Sequence, residues 1–237
     1  MKLIVIGSSS KGNAYALQAA SGEILLLEAG RPIREVKKAI GYQTNKVVGC
    51  IVSHVHGDHA KYIPEYFSAG IDIYSCKEVA NRYLVKVLQF DFTLSLGTFR
   101  VTPFEVEHDV TNYGYLIFHP DFGTIFFATD CYNLHKIIKN CRTYLMECNY
   151  EDSLLNKAID ERKTSASQAD RIRLSHMSLE HAVQFLQQCE VDKSTRQIVL
   201  IHGSSRHLQP GKAVNKFQQV LGVPTYYASK GFTLDLI

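Results

Sequence analysis

Four potential metal ligands crowd into Ser53-His54-Val55-His56-Gly57-Asp58-His59, directly after the apolar run Val47-Val48-Gly49-Cys50-Ile51-Val52. An apolar run of this length reads as a buried strand, and a strand that delivers such a cluster to its end makes a metal site. His54 and His56 stand two apart, so in an extended chain they point the same way. Gly57 lets the backbone bend, which turns Asp58 and His59 toward a second ion. Two adjacent cations are therefore expected. Unpaired imidazoles seldom crowd beside an Asp without one.

The chain before this cluster reads as an antiparallel β meander: strands over 2–6, 14–19 and 23–29, with the loop Gly7-Ser8-Ser9-Ser10-Lys11-Gly12-Asn13 between the first two. No helix follows that loop, so it is not a P-loop, although it can lie on the rim of the metal site and offer N–H groups to an anion. Pro32 and Gly41 bracket a helix over 32–40. Beyond the cluster the pattern predicts a helix over 59–69 stopped by Gly70, a strand at 71–74 and a second helix over 77–88.

Three later strands end in a metal-binding residue type. Phe99 to Glu107 alternates and closes on His108, Thr124 to Thr129 closes on Asp130, and Gln197 to Ile201 closes on His202. An acid closing so apolar a run as Ile125-Phe126-Phe127-Ala128 is costly unpaired, and a cation beside it relieves that cost. Thr143 to Cys148 reads as another strand, followed by a charged helical region to about Arg173. Ser178 is a candidate N-cap for a helix whose apolar stripe is Leu179, Ala182, Val183 and Leu186, which puts His176 just outside a helix N-terminus that favours an anion. A helix near 211–221 and a hairpin over 224–237 complete the chain. His207 reads as a surface residue, and His119, His135 and His181 have nothing beyond polar neighbours to recommend them.

The motif His54-x-His56-x-Asp58-His59 after a buried strand resembles the signature of the metallo-β-lactamase superfamily. That resemblance implies an α/β fold, the four-layer αββα sandwich, with the site at one edge. It implies His54, His56 and His108 on one metal, Asp58, His59 and His202 on the other, and Asp130 bridging them. The donors are nitrogen and oxygen without thiolate, which suits two divalent ions, Zn²⁺ first and Mn²⁺ as an alternative. Glu28 stands where the superfamily usually shows an Asp that supports the ligand loop, which leaves the role of the longer side chain open.

Composition fits one domain over 1–237: 46% of residues are hydrophobic and 21% charged, enough for a sizeable core. The net charge is +3, and residues 157–237 hold 11 Lys and Arg against 7 Asp and Glu, so a phosphate ligand is favoured on that side. Six cysteines without Cys-x-x-Cys pairing read as reduced core thiols of a cytoplasmic protein. The apolar start is too short for a signal peptide, and no stretch is long enough to span a membrane.

His176-Met177-Ser178 before a helix resembles the His-Ser-Thr type box of tRNase Z and related phosphodiesterases, where the extra His contacts or protonates the scissile phosphate. With Gly7-Ser8-Ser9-Ser10-Lys11-Gly12-Asn13-Ala14 and Glu147-Cys148-Asn149-Tyr150, it also resembles the WalJ/YycJ-type bacterial group of proposed DNA exonucleases. The implied activity is metal-assisted hydrolysis of a phosphodiester in DNA or RNA, with Asp58 and His176 essential to it. A small cyclic or diester phosphate as substrate, and a nucleotide-binding protein without turnover, are the alternatives. Oligomeric state and strand polarity are not legible.

Overall fold

The computed structural model describes residues 1–237, the side chains at 192 and 193 excepted. Its first half runs β1 (Lys2–Gly7), β2 (Ala14–Gln18), β3 (Ile24–Leu27), α1 (Ile33–Ala39), β4 (Val47–Ile51), α2 (Gly57–Ala60), α3 (Ile63–Ser68), β5 (Ile73–Ser75), α4 (Lys77–Ala80) and β6 (Lys86–Val87). The second half runs β7 (Leu94–Leu96), β8 (Phe99–Val106), β9 (Asn112–His119), β10 (Gly123–Ala128), β11 (Thr143–Glu147), α5 (Asp152–Asp160), α6 (Ala166–Ser175), α7 (Leu179–Gln188), α8 (Val191–Ser194), β12 (Gln197–Ile201), α9 (Pro210–Leu221), β13 (Thr225–Tyr227) and β14 (Thr233–Asp235).

The strands form two sheets, ordered β14-β1-β2-β3-β4-β5-β6 and β13-β12-β11-β10-β9-β8-β7. The period-two alternation of side chains decides how they stack. On β10, β11 and β12, Ile125, Phe127, Leu145, Val199 and Ile201 enter the core shared with the first sheet, next to Leu25, Leu27 and Ile51. Their neighbours Phe126, Tyr144, Met146, Ile198 and Leu200 face the opposite way and pack with Leu186 of α7 and Phe217 of α9. Strands buried on both faces read as continuous apolar runs, which is why these three do. Across the inner layer the Tyr15 and Phe127 rings meet edge to face at 5.9 Å, and the Tyr115 hydroxyl donates to the Val52 carbonyl at 2.7 Å. Among the described residues no helix is long and apolar enough to cross a membrane.

Three local expectations are corrected. The helix over 59–69 is two helices, α2 and α3, because Pro64 in the first turn of α3 has no N–H to give and its ring opposes continuation from α2. The helix over 77–88 stops after Ala80. Lys86–Val87 instead pairs in parallel with Tyr74 and Ser75, and the Leu88 N–H donates to the Ser75 carbonyl at 2.8 Å. The C-terminal segment is not a hairpin: β13 joins β12 in parallel while β14 pairs antiparallel with β1. Each piece satisfies the free edge nearest it, and Gly231, at a φ of +85°, turns the chain from one sheet to the other. The remaining expected elements form, with Ser178 Oγ accepting from the His181 N–H as the N-cap of α7.

Candidate metal centre

The parallel strands β10, β11 and β12 end at the same edge, and the ends of β4 and β8 meet them there. Carboxyl ends of parallel strands converge on one crevice, so residues far apart in sequence become neighbours. His54, His56 and His108 form one group of potential ligand atoms within 4.8 Å of one another; Asp58, His59, Asp130 and His202 form a second. Asp130 joins them: its Oδ2 lies 3.4 Å from His54 Nε2 and 2.6 Å from His59 Nε2, and its Oδ1 lies 2.5 Å from His202 Nδ1. Each residue the sequence nominated is therefore in the cluster.

The donor set fits cations. His54 Nδ1 is held by Ser53 Oγ at 2.8 Å, which leaves His54 Nε2 buried without a hydrogen-bond partner, and His202 Nε2 is orphaned in the same way. Both nitrogens stand 3.4 Å from a carboxylate oxygen, of Asp130 and Asp58 respectively. Ligand atoms about 2.0–2.1 Å from a tetrahedral cation lie about 3.4 Å apart, so the spacing is that of ligands sharing one ion. His56 Nδ1 and His108 Nε2 also face each other at 3.2 Å.

Electrostatics separate the two groups. Burial, reinforced by the neighbouring His59, holds the His54 imidazole well below its ordinary value, and burial lowers His108. Both are thus kept neutral, as a ligand must be. For His59 and His202 burial works the same way but is outweighed by Asp130, helped by Glu28 at His59 and by Asp58 and Glu147 at His202, so both rise well above the ordinary range. Asp58 is pushed up by burial and pulled down harder by the His202 and His59 imidazoles that face it, ending well below the usual carboxylate range.

Behind the ligands, Glu28 takes the supporting role. Both its oxygens accept from the Ser53 N–H at 3.3 Å and Oε2 stands 3.4 Å from His59 Nδ1, so the longer side chain braces both ends of the ligand loop. Glu28, Asp130 and His202 all adopt positive φ (66°, 50° and 53°) just past strand ends. Left-handed backbone at non-glycine residues costs about 1–2 kcal/mol each, and such strain gathers at functional sites.

Glu147, which the sequence offered only within the stretch Glu147-Cys148-Asn149-Tyr150 and without a role, belongs to the site. It is fully buried, and its Oε1 lies 2.7 Å from His176 Nδ1 and 2.9 Å from His202 Nδ1 while Oε2 accepts from the Cys131 and Met177 N–H groups. The signal was present: like Asp130, it closes an apolar strand. His176 sits on the rim, its Nε2 without a protein partner among the described residues. Burial opposes its charge, but Glu147 and Asp130 prevail and lift it to about 9. Ser10, Gly57, Asp109, Arg171, Ile172 and Ser175 line the rest of a cavity of about 350 Å³ over the cluster. The Gly/Ser loop thus reaches the rim through Ser10, though the Gly12 and Asn13 N–H groups are spent internally on Ser9 and Asp58.

The other histidines lie elsewhere. His207 is buried rather than on the surface, clasped by Thr164 Oγ1 at 3.0 Å and Ser204 Oγ at 3.3 Å, because the turn between α5 and α6 folds over it. His119 braces a hairpin through Thr98, and His135 pairs with Glu107 in solvent.

Neither a protein-family model nor a curated protein sequence matches the chain. Solved structures do. The metallo-β-lactamase fold protein YhfI from Bacillus subtilis superposes with a TM-score of 0.78 at 20% identity, covering 99% of each chain. Human tRNase Z, short form, gives 0.72 at 15% identity over 100% of each chain. A diphosphatase from the PhnP family gives 0.71 at 13% identity, covering 98% of this chain and 96% of its own. The architecture is the metallo-β-lactamase fold.

Proposed function

We propose that the protein is a dinuclear-metal phosphodiester hydrolase acting on nucleic acid, DNA exonuclease-like in the manner of the WalJ/YycJ-type group. His54, His56 and His108 hold one divalent ion, Asp58, His59 and His202 the other, and Asp130 lies between them. Zn²⁺ is the first choice and Mn²⁺ the alternative for such nitrogen and oxygen donors. Bound there, the cations supply an activated water and positive charge against the phosphate oxygens.

The observation that carries the reading is the Glu147–His176 pair at 2.7 Å on the rim. Glu147 holds Nδ1, so the free Nε2 turns to the cavity. A protonated imidazole beside a cleft that binds an anion is a general acid: its proton passes from Nε2 to the leaving alkoxide oxygen, and Glu147 steadies the ring through the transfer. Arg171 adds a positive charge to the same wall. The likeness to tRNase Z supports a nucleic acid.

A second reading, a small cyclic or diester phosphate as substrate, is favoured by the cavity of about 350 Å³ and by the likeness to the PhnP-family diphosphatase. Turnover of bis-p-nitrophenyl phosphate with Zn²⁺ or Mn²⁺, set beside labelled single- and double-stranded DNA and RNA, tests both. Hydrolysis of the ester and a polynucleotide supports the first reading. Hydrolysis of small diesters with no polynucleotide cleavage supports the second, and no turnover with both ions bound defeats each.

A further inference from the structure

Two side chains of the Gly7–Asn13 loop, Ser8 and Asn13, reach the group formed by Asp58, His59, Asp130 and His202. Asn13 is fully buried immediately before β2. Its Nδ2 lies 3.0 Å from His59 Nε2 and 3.4 Å from both Asp58 Oδ2 and the Asp58 carbonyl, while its backbone N–H donates to that carbonyl at 2.8 Å. On the other side Asn13 Oδ1 is 3.3 Å from the Tyr15 hydroxyl, which lies 2.9 Å from Ser8 Oγ. Ser8 Oγ in turn accepts from the His202 N–H at 2.9 Å. A buried polar chain thus runs His202–Ser8–Tyr15–Asn13–Asp58/His59, joining ligands that arrive from different sheets.

The chain has physical consequences. Burying an amide and two hydroxyls is costly unless each is bonded, so the network is strongly determined once formed. Burial lifts the Tyr15 phenol far above its ordinary value, so it remains a neutral link. Asn13 Oδ1 facing the Tyr15 hydroxyl turns the NH₂ end toward the ligands. An amide NH₂ is no metal ligand; it orients the carboxylate of Asp58. There is no slack behind it: a Cβ on Gly30 would fall 1.7 Å from the Asp58 carbonyl oxygen and 2.7 Å from the Asn13 N.

We infer that Asn13, linked through Tyr15 and Ser8 to His202, is a positioning residue that sets the geometry of the Asp58, His59, Asp130 and His202 group and leaves the His54, His56 and His108 group alone. This rests on the dinuclear reading above but not on the identity of the bond cleaved.

The test is metal affinity, measured without turnover by chelator competition with Zn²⁺ on the full chain, with His108→Ala as the reference that marks the other site. Asn13→Ala should weaken one binding step by about 10- to 100-fold, the scale for loss of an outer hydrogen bond to a ligand, and spare the step that His108→Ala weakens. Tyr15→Phe removes only the hydroxyl and should weaken the same step; combined with Asn13→Ala it should add little, because both cut one chain. Asn13→Ser, which keeps a donor, should recover part of the loss. Affinities of both steps unchanged within about twofold, equal weakening of both steps, or a lowered melting temperature with affinities intact would each overturn the inference. A protein that binds two ions with these effects but cleaves no phosphodiester would leave it standing and remove the proposed function instead.

Discussion

Glu147 Oε1 lies 2.7 Å from His176 Nδ1, and the same oxygen lies 2.9 Å from His202 Nδ1, so one buried carboxylate orients both the rim histidine and a candidate ligand. His176→Ala should therefore retain both ions yet lower kcat on DNA or RNA by about 10²- to 10⁴-fold, the range for a general acid. A p-nitrophenyl ester, whose leaving group needs little protonation, should lose much less. Equal small losses on both substrates with a lowered melting temperature would show that His176 only joins α6 to α7.

Metal content checks the centre directly. Two ions per chain are expected after dialysis against Zn²⁺ or Mn²⁺, and Asp58→Ala should abolish hydrolysis while keeping a cooperative melt, since the Asp58 side chain is partly exposed and not part of the core. At most one ion, with none gained in excess metal, contradicts the dinuclear centre. Loss of the cooperative melt in the chelated wild type would assign the ions a structural role.

The two groups should respond differently to pH. A cation must displace the proton from any protonated imidazole, so a ligand with a raised pKa loses affinity at a higher pH than one with a lowered pKa. His59 and His202 are raised and His54 and His108 lowered, so as pH falls the Asp58/His59/Asp130/His202 ion should leave first. Zn²⁺ titrations at stepwise lower pH should pass from two ions to one; simultaneous loss of both contradicts the assignment.

Gly30→Ala probes the packing behind Asp58. Gly30 has an ordinary φ, so the substitution acts through space alone, and its Cβ has no room beside the Asp58 carbonyl. The ligand loop must shift, and a displacement of about 1 Å costs on the order of 10²-fold in rate. Phosphodiesterase assays at saturating metal read this; a rate within a factor of about two of wild type would mean that the loop yields without moving its ligands.

The candidate ligands were legible because their information is local. His54, His56, Asp58 and His59 announce themselves by spacing, and Asp130 and His202 by closing apolar strands whose burial forbids an idle polar end. The layering was expected from the likeness of the His54–His59 motif to the metallo-β-lactamase superfamily, and the alternate residues of the runs at 125–128, 143–146 and 197–201 fill the two cores that it needs. Only the tertiary structure decided the rest. That β13 and β14 go to different sheets depends on which edges are free, a condition no 14-residue window contains. That His207 is buried depends on a turn more than 40 residues upstream, at Thr164. That Asn13 reaches Asp58 and Glu147 reaches His176 depends on strand ends brought together by pairing. Periodicity and ligand spacing are written in neighbouring residues, whereas a hydrogen bond across |i−j| of 29 or 45 exists only once the sheets have chosen their order.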